Sequence, residues 1–384
     1  MDIHDFDSIR PYEPSELHEA FDSLLNDPQF CGIIQQYYKG IPLEALKAKL
    51  YTCKNNLEFQ KTIIYPLIKQ LMAKCCKEVT MNTDCIAASE RNGSFTFVSN
   101  HRDIVLDSAF LNILLIDNQY RTTTEIAIGD NLLVYPWIRT LVRINKSFIV
   151  HRSVSIHEML ASSKRMSQYM NFAINQKSEN IWIAQREGRA KDSNDRTQES
   201  VLKMMAMGGD KSPIENLKAL NIVPLSISYE YDPCDYLKAQ EFQLKRDIPD
   251  FKKSKQDDLN NMKIGIFGYK GNVHYHLSEP INNWIDEYAG LPKGEMFKAI
   301  AQRMDLNIHR TYKLYPLNYV AADLLQGTST YARNYTEQDK AAFEKYLADR
   351  LTLIQIDHKD EAFLRERILT MYANPLFNYM KAHE

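Results

Sequence analysis

The sequence predicts an α/β protein, a mostly parallel sheet with flanking helices, extended by helical segments at both ends. Three observations carry that expectation. From about residue 92, short apolar runs rich in β-branched and aromatic residues alternate with helix-patterned stretches, the order that crossover-connected parallel strands leave in a chain. Residues 14–78 and 284–384 instead read as helical throughout. The run containing Phe95, Phe97 and Val98 breaks at Asn100-His101-Arg102-Asp103 and hands over to an almost wholly apolar stretch, Ile104 to Ile116, too long for one strand. The expected divisions are a helical subdomain over 1–84, the α/β domain over 85–283 and a helical extension over 284–384.

Taken in order, Arg10-Pro11-Tyr12 reads as a packed arm and Pro14-Ser15-Glu16 as a helix start, with helical segments around 15–26, 28–38, 42–52 and 57–78. Strands are expected at 94–99, 122–128, 147–151, 180–185, 221–229 and 272–276, with helices at 103–116, 131–142, 154–176 and 197–207. The charged segment 233–262 reads as an insertion between the last two strands, helical in part. Tyr312, Tyr315 and Tyr319 lie in a stretch ending YPLNYVAADLL, which reads as a packed helix with an aromatic face, core rather than ligand site.

Composition narrows the function. A chain of 384 residues has room for a sizeable core and more than one domain. A net charge of −2 gives no electrostatic case for nucleic acid. No run approaches the ~18 apolar residues of a membrane span. The acidic start MDIHDFDSIRPYEPSE lacks the layout of a signal peptide, so a cytoplasmic protein, free or peripheral on a membrane, is expected. The six cysteines fit no paired zinc-ligand spacing and read as ordinary thiols.

The chemistry concentrates at His101. A strand-to-helix handover in an open α/β sheet lies at the carboxyl edge, where ligands bind. Asp103 and Asp107 are within six residues, and a histidine beside a carboxylate is the minimal general base. Asp103 is well placed to cap the following helix. Asp107 has no such role, and a carboxylate inside an apolar helix needs a partner, so Asp107 is the preferred aspartate for His101. His101-Arg102-Asp103 mimics the kinase catalytic triplet, but Ser108 stands where that motif has asparagine and neither the Gly-rich loop nor Asp-Phe-Gly is present. The Gly-x-Ser-x-Gly elbow of serine hydrolases is missing too.

Four stretches belong together: Ser99-Asn100-His101-Arg102-Asp103-Ile104-Val105-Leu106-Asp107-Ser108; Gly129-Asp130-Asn131-Leu132 with the strand Ser147 to Arg152 and Ser153; Ile183-Ala184-Gln185-Arg186-Glu187-Gly188-Arg189; and Ile222-Val223-Pro224-Leu225 running on to Glu230. In this order and spacing they resemble the four blocks of the glycerophospholipid acyltransferases, closer in the second block to the glycerol-3-phosphate type than to the 1-acylglycerol-3-phosphate type. The resemblance covers roughly 90–282 and includes a closing strand from Gly271 to Ile281. It implies that family's fold and transfer of a fatty acyl group from an acyl thioester, on coenzyme A or acyl carrier protein, to a glycerolipid or lysolipid hydroxyl. No metal and no bound organic cofactor is implied. His101 would be the base, Arg152, Arg186 and Arg189 phosphate-binding cations converging on one rim, and Asn131, Glu187 and Gly188 part of the acceptor site. Arg186 also reads as a solvated loop charge. Pro224 would lie near the acyl donor, and backbone N–H groups at the start of the helix after His101 would face the oxyanion. The family has four residues between its histidine and aspartate; five separate His101 from Asp107, and Arg189 comes one residue early. These departures suggest a distinct branch, with an acylated amino-acid lipid as alternative acceptor and a non-catalytic lipid- or carrier-binding protein as rival.

Overall fold

A computed structural model describes residues 2–37, 42–152 and 156–384; Ser153, in the second stretch, lies outside them. Seven strands form one sheet: β1 (Cys76–Asn82), β2 (Thr96–Ser99), β3 (Thr124–Gly129), β4 (Ser147–Val150), β5 (Asn180–Ala184), β6 (Ile222–Tyr229) and β7 (Gly271–Leu277), in the order β1-β7-β6-β2-β5-β3-β4. β7 runs against β6, β1 runs with β7, and every other pairing is parallel. The carboxyl ends of β2 to β6 therefore share one edge.

All six expected strands are present within a few residues of their anticipated bounds. β1 is an addition. The stretch 57–78 reads as helical to its end, but its last helix, Tyr65–Cys75, stops and Cys76 turns into extended backbone. β1 pairs only with β7, and Lys77 and Glu78 point to solvent, so it lacks the apolar alternation that would have marked it. It lies ahead of residue 84.

Strand alternation feeds two cores. Phe97, Trp182 and Val223 face the helix Leu106–Asp117, whose Phe110, Leu111 and Leu114 are buried. Val98, Ile181, Ile183 and Ile222 face the opposite way, onto the helices Ile156–Asn175 and Lys293–Arg310. The expected helices at 131–142 and 197–207 are the shorter Pro136–Ile144 and Glu199–Met205. The insertion holds two helices, Asp235–Asp247 and Lys255–Phe267.

The N-terminal arm is packed: Arg10 is buried and its guanidinium binds Glu16 and the Pro11 carbonyl. In the C-terminal region Pro316–Gln326, Glu337–Thr352 and Glu361–His383 close a third core around Val320, Phe343 and Ile368. Only Tyr319 of the three tyrosines lies on the helix; Tyr312 and Tyr315 precede it and are buried in the connector, so the aromatic cluster is not one helix face. Among the described residues no helix is long and apolar enough to cross a membrane.

Candidate active site

β2 ends at Ser99 and the next helix begins at Leu106, which leaves His101 on a short loop at the carboxyl edge. Its Nδ1 lies 2.7 Å from Asp107 Oδ2; the side chains are 13% and 1% exposed. The same Asp107 oxygen accepts from Arg102 N at 2.6 Å and Asp103 N at 3.0 Å. The two backbone N–H groups already make that oxygen an acceptor, so Nδ1 is the donor that carries the ring proton and Nε2 is free to accept one. Among the described residues nothing bonds Nε2.

Asp103 has a different part. Its Oδ1 accepts from Val105 N at 2.9 Å and Leu106 N at 2.7 Å, shaping the turn into the helix. Burial, and then the charge of Asp107, push its carboxyl above the usual range. The five-residue spacing is thus taken up in this turn, and Asp107 still reaches the imidazole. Of the N–H groups in the turn expected to face an oxyanion, those of Arg102, Asp103, Val105 and Leu106 are occupied by the two carboxylates, which leaves that of Ile104.

Neighbouring strands fix the loop. Trp182 of β5 meets the His101 ring edge-on, centroids 5.6 Å apart, and donates through Nε1 to Ser99 Oγ at 3.0 Å. Asn100 exchanges two hydrogen bonds with the Ile227 backbone of β6, at 2.9 and 2.7 Å. Asp195, fully buried behind the loop, binds Arg102. None of these supporting groups stood out in the sequence. Asp195 sits in Lys191-Asp192-Ser193-Asn194-Asp195, a run with the composition of an exposed turn, and its buried partners show otherwise.

His101 borders a cleft of about 430 Å³. Its walls include Ile126 and Ile128 of β3, Ile138 and Val142 of the helix Pro136–Ile144, Met166 and Met204. Arg152, Arg186, Glu187 and Gly188 also line it. Arg152 lies 3.7 Å from the Glu187 carboxylate and donates its backbone N–H to Asp130 at 3.2 Å. A Cβ on Gly129 would fall 2.5 Å from Asn131 Oδ1 and 2.9 Å from Arg152 Nε, so a glycine at this strand end lets both crowd onto it. Asn131 itself is exposed and outside the lining. Gly188 has φ +67° with open space around it, so backbone conformation rather than room calls for glycine.

Two further expected residues are elsewhere. Arg189, beyond the left-handed turn at Gly188, reaches Asn261 of the helix Lys255–Phe267 at 3.4 Å and does not line the cleft; of the three arginines only Arg152 and Arg186 share it. Pro224 is buried inside β6, in register with Val98, its carbonyl accepting from Ser278 N at 2.8 Å, and does not line the cleft either.

No family model matches the chain, and no curated protein matches it. Among solved structures the chain is similar to the crystal structure of the 1-acyl-sn-glycerophosphate (LPA) acyltransferase, PlsC, from Thermotoga maritima, at 13% identity over 76% of this chain and 93% of that one, with a TM-score of 0.33.

Proposed function

We propose that the protein is an acyltransferase that moves a fatty acyl group from a thioester, on coenzyme A or acyl carrier protein, to a hydroxyl of glycerol 3-phosphate or a lysolipid. The observation that carries this reading is the 2.7 Å contact between His101 Nδ1 and Asp107 at the edge of an apolar-walled cleft. His101 Nε2 takes the acceptor hydroxyl proton while that oxygen attacks the thioester carbonyl; the C–S bond then breaks and the thiolate leaves with the proton from the imidazolium. Asp107 holds the tautomer and stabilises the imidazolium. Ile104, whose N–H has no partner among the described residues and which borders the cleft, is the donor we assign to the oxyanion. The apolar walls suit an alkyl chain, and Arg152 and Arg186 suit an anionic headgroup.

The test is thiol release from acyl thioesters with and without acceptor, for wild type and His101→Ala. Loss of roughly 10²–10⁴-fold in a variant with an unchanged melting curve is expected. A folded His101→Ala protein with near-wild-type activity would overturn the reading. One observation favours a second acceptor: Arg189 lies away from the cleft and Glu187 sits beside Arg152, so the lining is less cationic than a phosphate monoester needs. An acylated amino-acid lipid, offered beside glycerol 3-phosphate and lysolipids in the same assay, separates the two.

A further inference from the structure

Behind His101 lies a buried polar assembly that the chemistry above does not use. Arg102 is 6% exposed and donates to both oxygens of Asp195, at 3.2 and 2.6 Å. Asp195 Oδ2 also accepts from the Tyr312 hydroxyl at 2.5 Å and, more distantly, from Asn100 Nδ2 at 3.5 Å. The Asp195 carbonyl accepts from His309 Nε2 at 3.0 Å, and two residues on, Thr197 donates through N and Oγ1 to Asp305 Oδ1, each at 2.7 Å. Burial works to neutralise Arg102, but Asp195, Tyr312 and Asp232 together outweigh it and the guanidinium stays charged. Burial keeps His309 neutral, its pKa lowered to about 4.

The residues on either side of His101 are thus held by one carboxylate. That carboxylate comes from the loop that follows β5, and residues beyond 284 hold it in turn. A buried ion pair adds little stability over well-packed apolar side chains of the same volume. It adds direction, because a guanidinium presents its donors in a fixed plane. We propose that Arg102, Asp195 and Tyr312 are positioning residues that aim the His101 ring, so that the C-terminal helical region is part of the catalytic apparatus. The proposal rests on His101 being the general base.

Two variants and one spectrum test it. Tyr312→Phe removes a single donor to Asp195 and is expected to fold, to lower kcat roughly 10- to 100-fold with the KM of donor and acceptor unchanged, and to move the His101 ring signals in ¹⁵N-histidine spectra, assigned with His101→Ala. Replacing the pair with Arg102→Met and Asp195→Leu together removes both charges but strands the Tyr312 hydroxyl, so a somewhat lower Tm is expected, with kcat depressed in the folded protein. Wild-type kcat in the folded double variant overturns the proposal, since packing alone would then suffice. So does Tyr312→Phe with unchanged kcat and unchanged His101 signals. If wild type transfers no acyl group, the enzyme reading has failed, and the spectra decide separately: His101 signals that move in Tyr312→Phe support the positioning, and signals that stay overturn it.

Discussion

A single oxygen of Asp107 gathers an imidazole N–H and two backbone N–H groups, while Asp103 four residues earlier satisfies the start of the helix. The two carboxylates should respond differently to the same change. Asp107→Asn loses the charged acceptor and is expected to reduce turnover on the order of 10⁴-fold by favouring the wrong tautomer. It should also destabilise the fold by about 1–3 kcal/mol, since the backbone donors lose their charged partner. Asp103→Asn keeps an oxygen for Val105 and Leu106 and should leave turnover near wild type. Its stability effect depends on pH. The folded Asp103 carboxyl is pushed up, by burial and then by Asp107, so its protonated form favours folding. That contribution is complete below the ordinary pKa of about 3.9 and is lost as pH rises through the raised value. Asp103→Asn should therefore melt above wild type at pH 7, with the gap closing toward pH 4. Melting curves of the three proteins, beside turnover, check both statements. Asp107 could be paired with His101 from sequence because a carboxylate in an apolar helix has no other use. Arg189 could not be placed, because one left-handed residue before it decides which way it leaves the loop.

The strands and helices were legible wherever burial was two-sided or periodic. β2, β5 and β6 are buried along their length and read directly as apolar runs. β1 is half-exposed at the sheet edge and continues straight from a helix, so neither periodicity nor a turn residue marks it. The insertion was legible as partly helical, but not its service to the site. Its helix Lys255–Phe267 lays Gly265 against Asp103, and a Cβ there would fall 2.2 Å from Oδ2. The other oxygen of Asp103 is fixed by two backbone donors, so the carboxylate has little room to yield. Gly265→Ala should destabilise the protein by about 1–3 kcal/mol from overpacking, against a helix-propensity gain of about 1 kcal/mol. Urea denaturation measures the balance; a more stable variant would mean that the helix simply shifts away.

At the scale of the whole molecule, distant segments complete what the sheet begins. The arm before residue 12 puts Phe6 and Ile9 into the core under β4, and the Ile9 carbonyl accepts from Ile149 N at 2.9 Å, covering the sheet edge. Deleting residues 2–11 removes two buried apolar side chains worth about 1.5–3 kcal/mol each and bares that edge. A Tm lower by several degrees is expected, with association visible by light scattering and kcat of the folded fraction unchanged, since no group of the site is lost. The sequence could mark the C-terminal region as helical and packed. It could not show that Tyr312, 117 residues after Asp195, closes onto the loop of His101, because a hydrogen bond over that separation leaves no local pattern.

Four methionines, Met159, Met166, Met204 and Met262, border the cleft, and Met159 is 51% exposed. Thioethers yield easily around alkyl chains of varied shape, and they also react with peroxide. A sulfoxide replaces an apolar surface with a polar S–O bond at the places a hydrocarbon would touch. Mild oxidation should therefore depress activity before the melting curve moves, with mass spectrometry finding the first added oxygen on Met159, and methionine sulfoxide reductase should restore it. On the proposed function, access of an acyl chain to this cleft is then set by the oxidant level around the protein as well as by its shape.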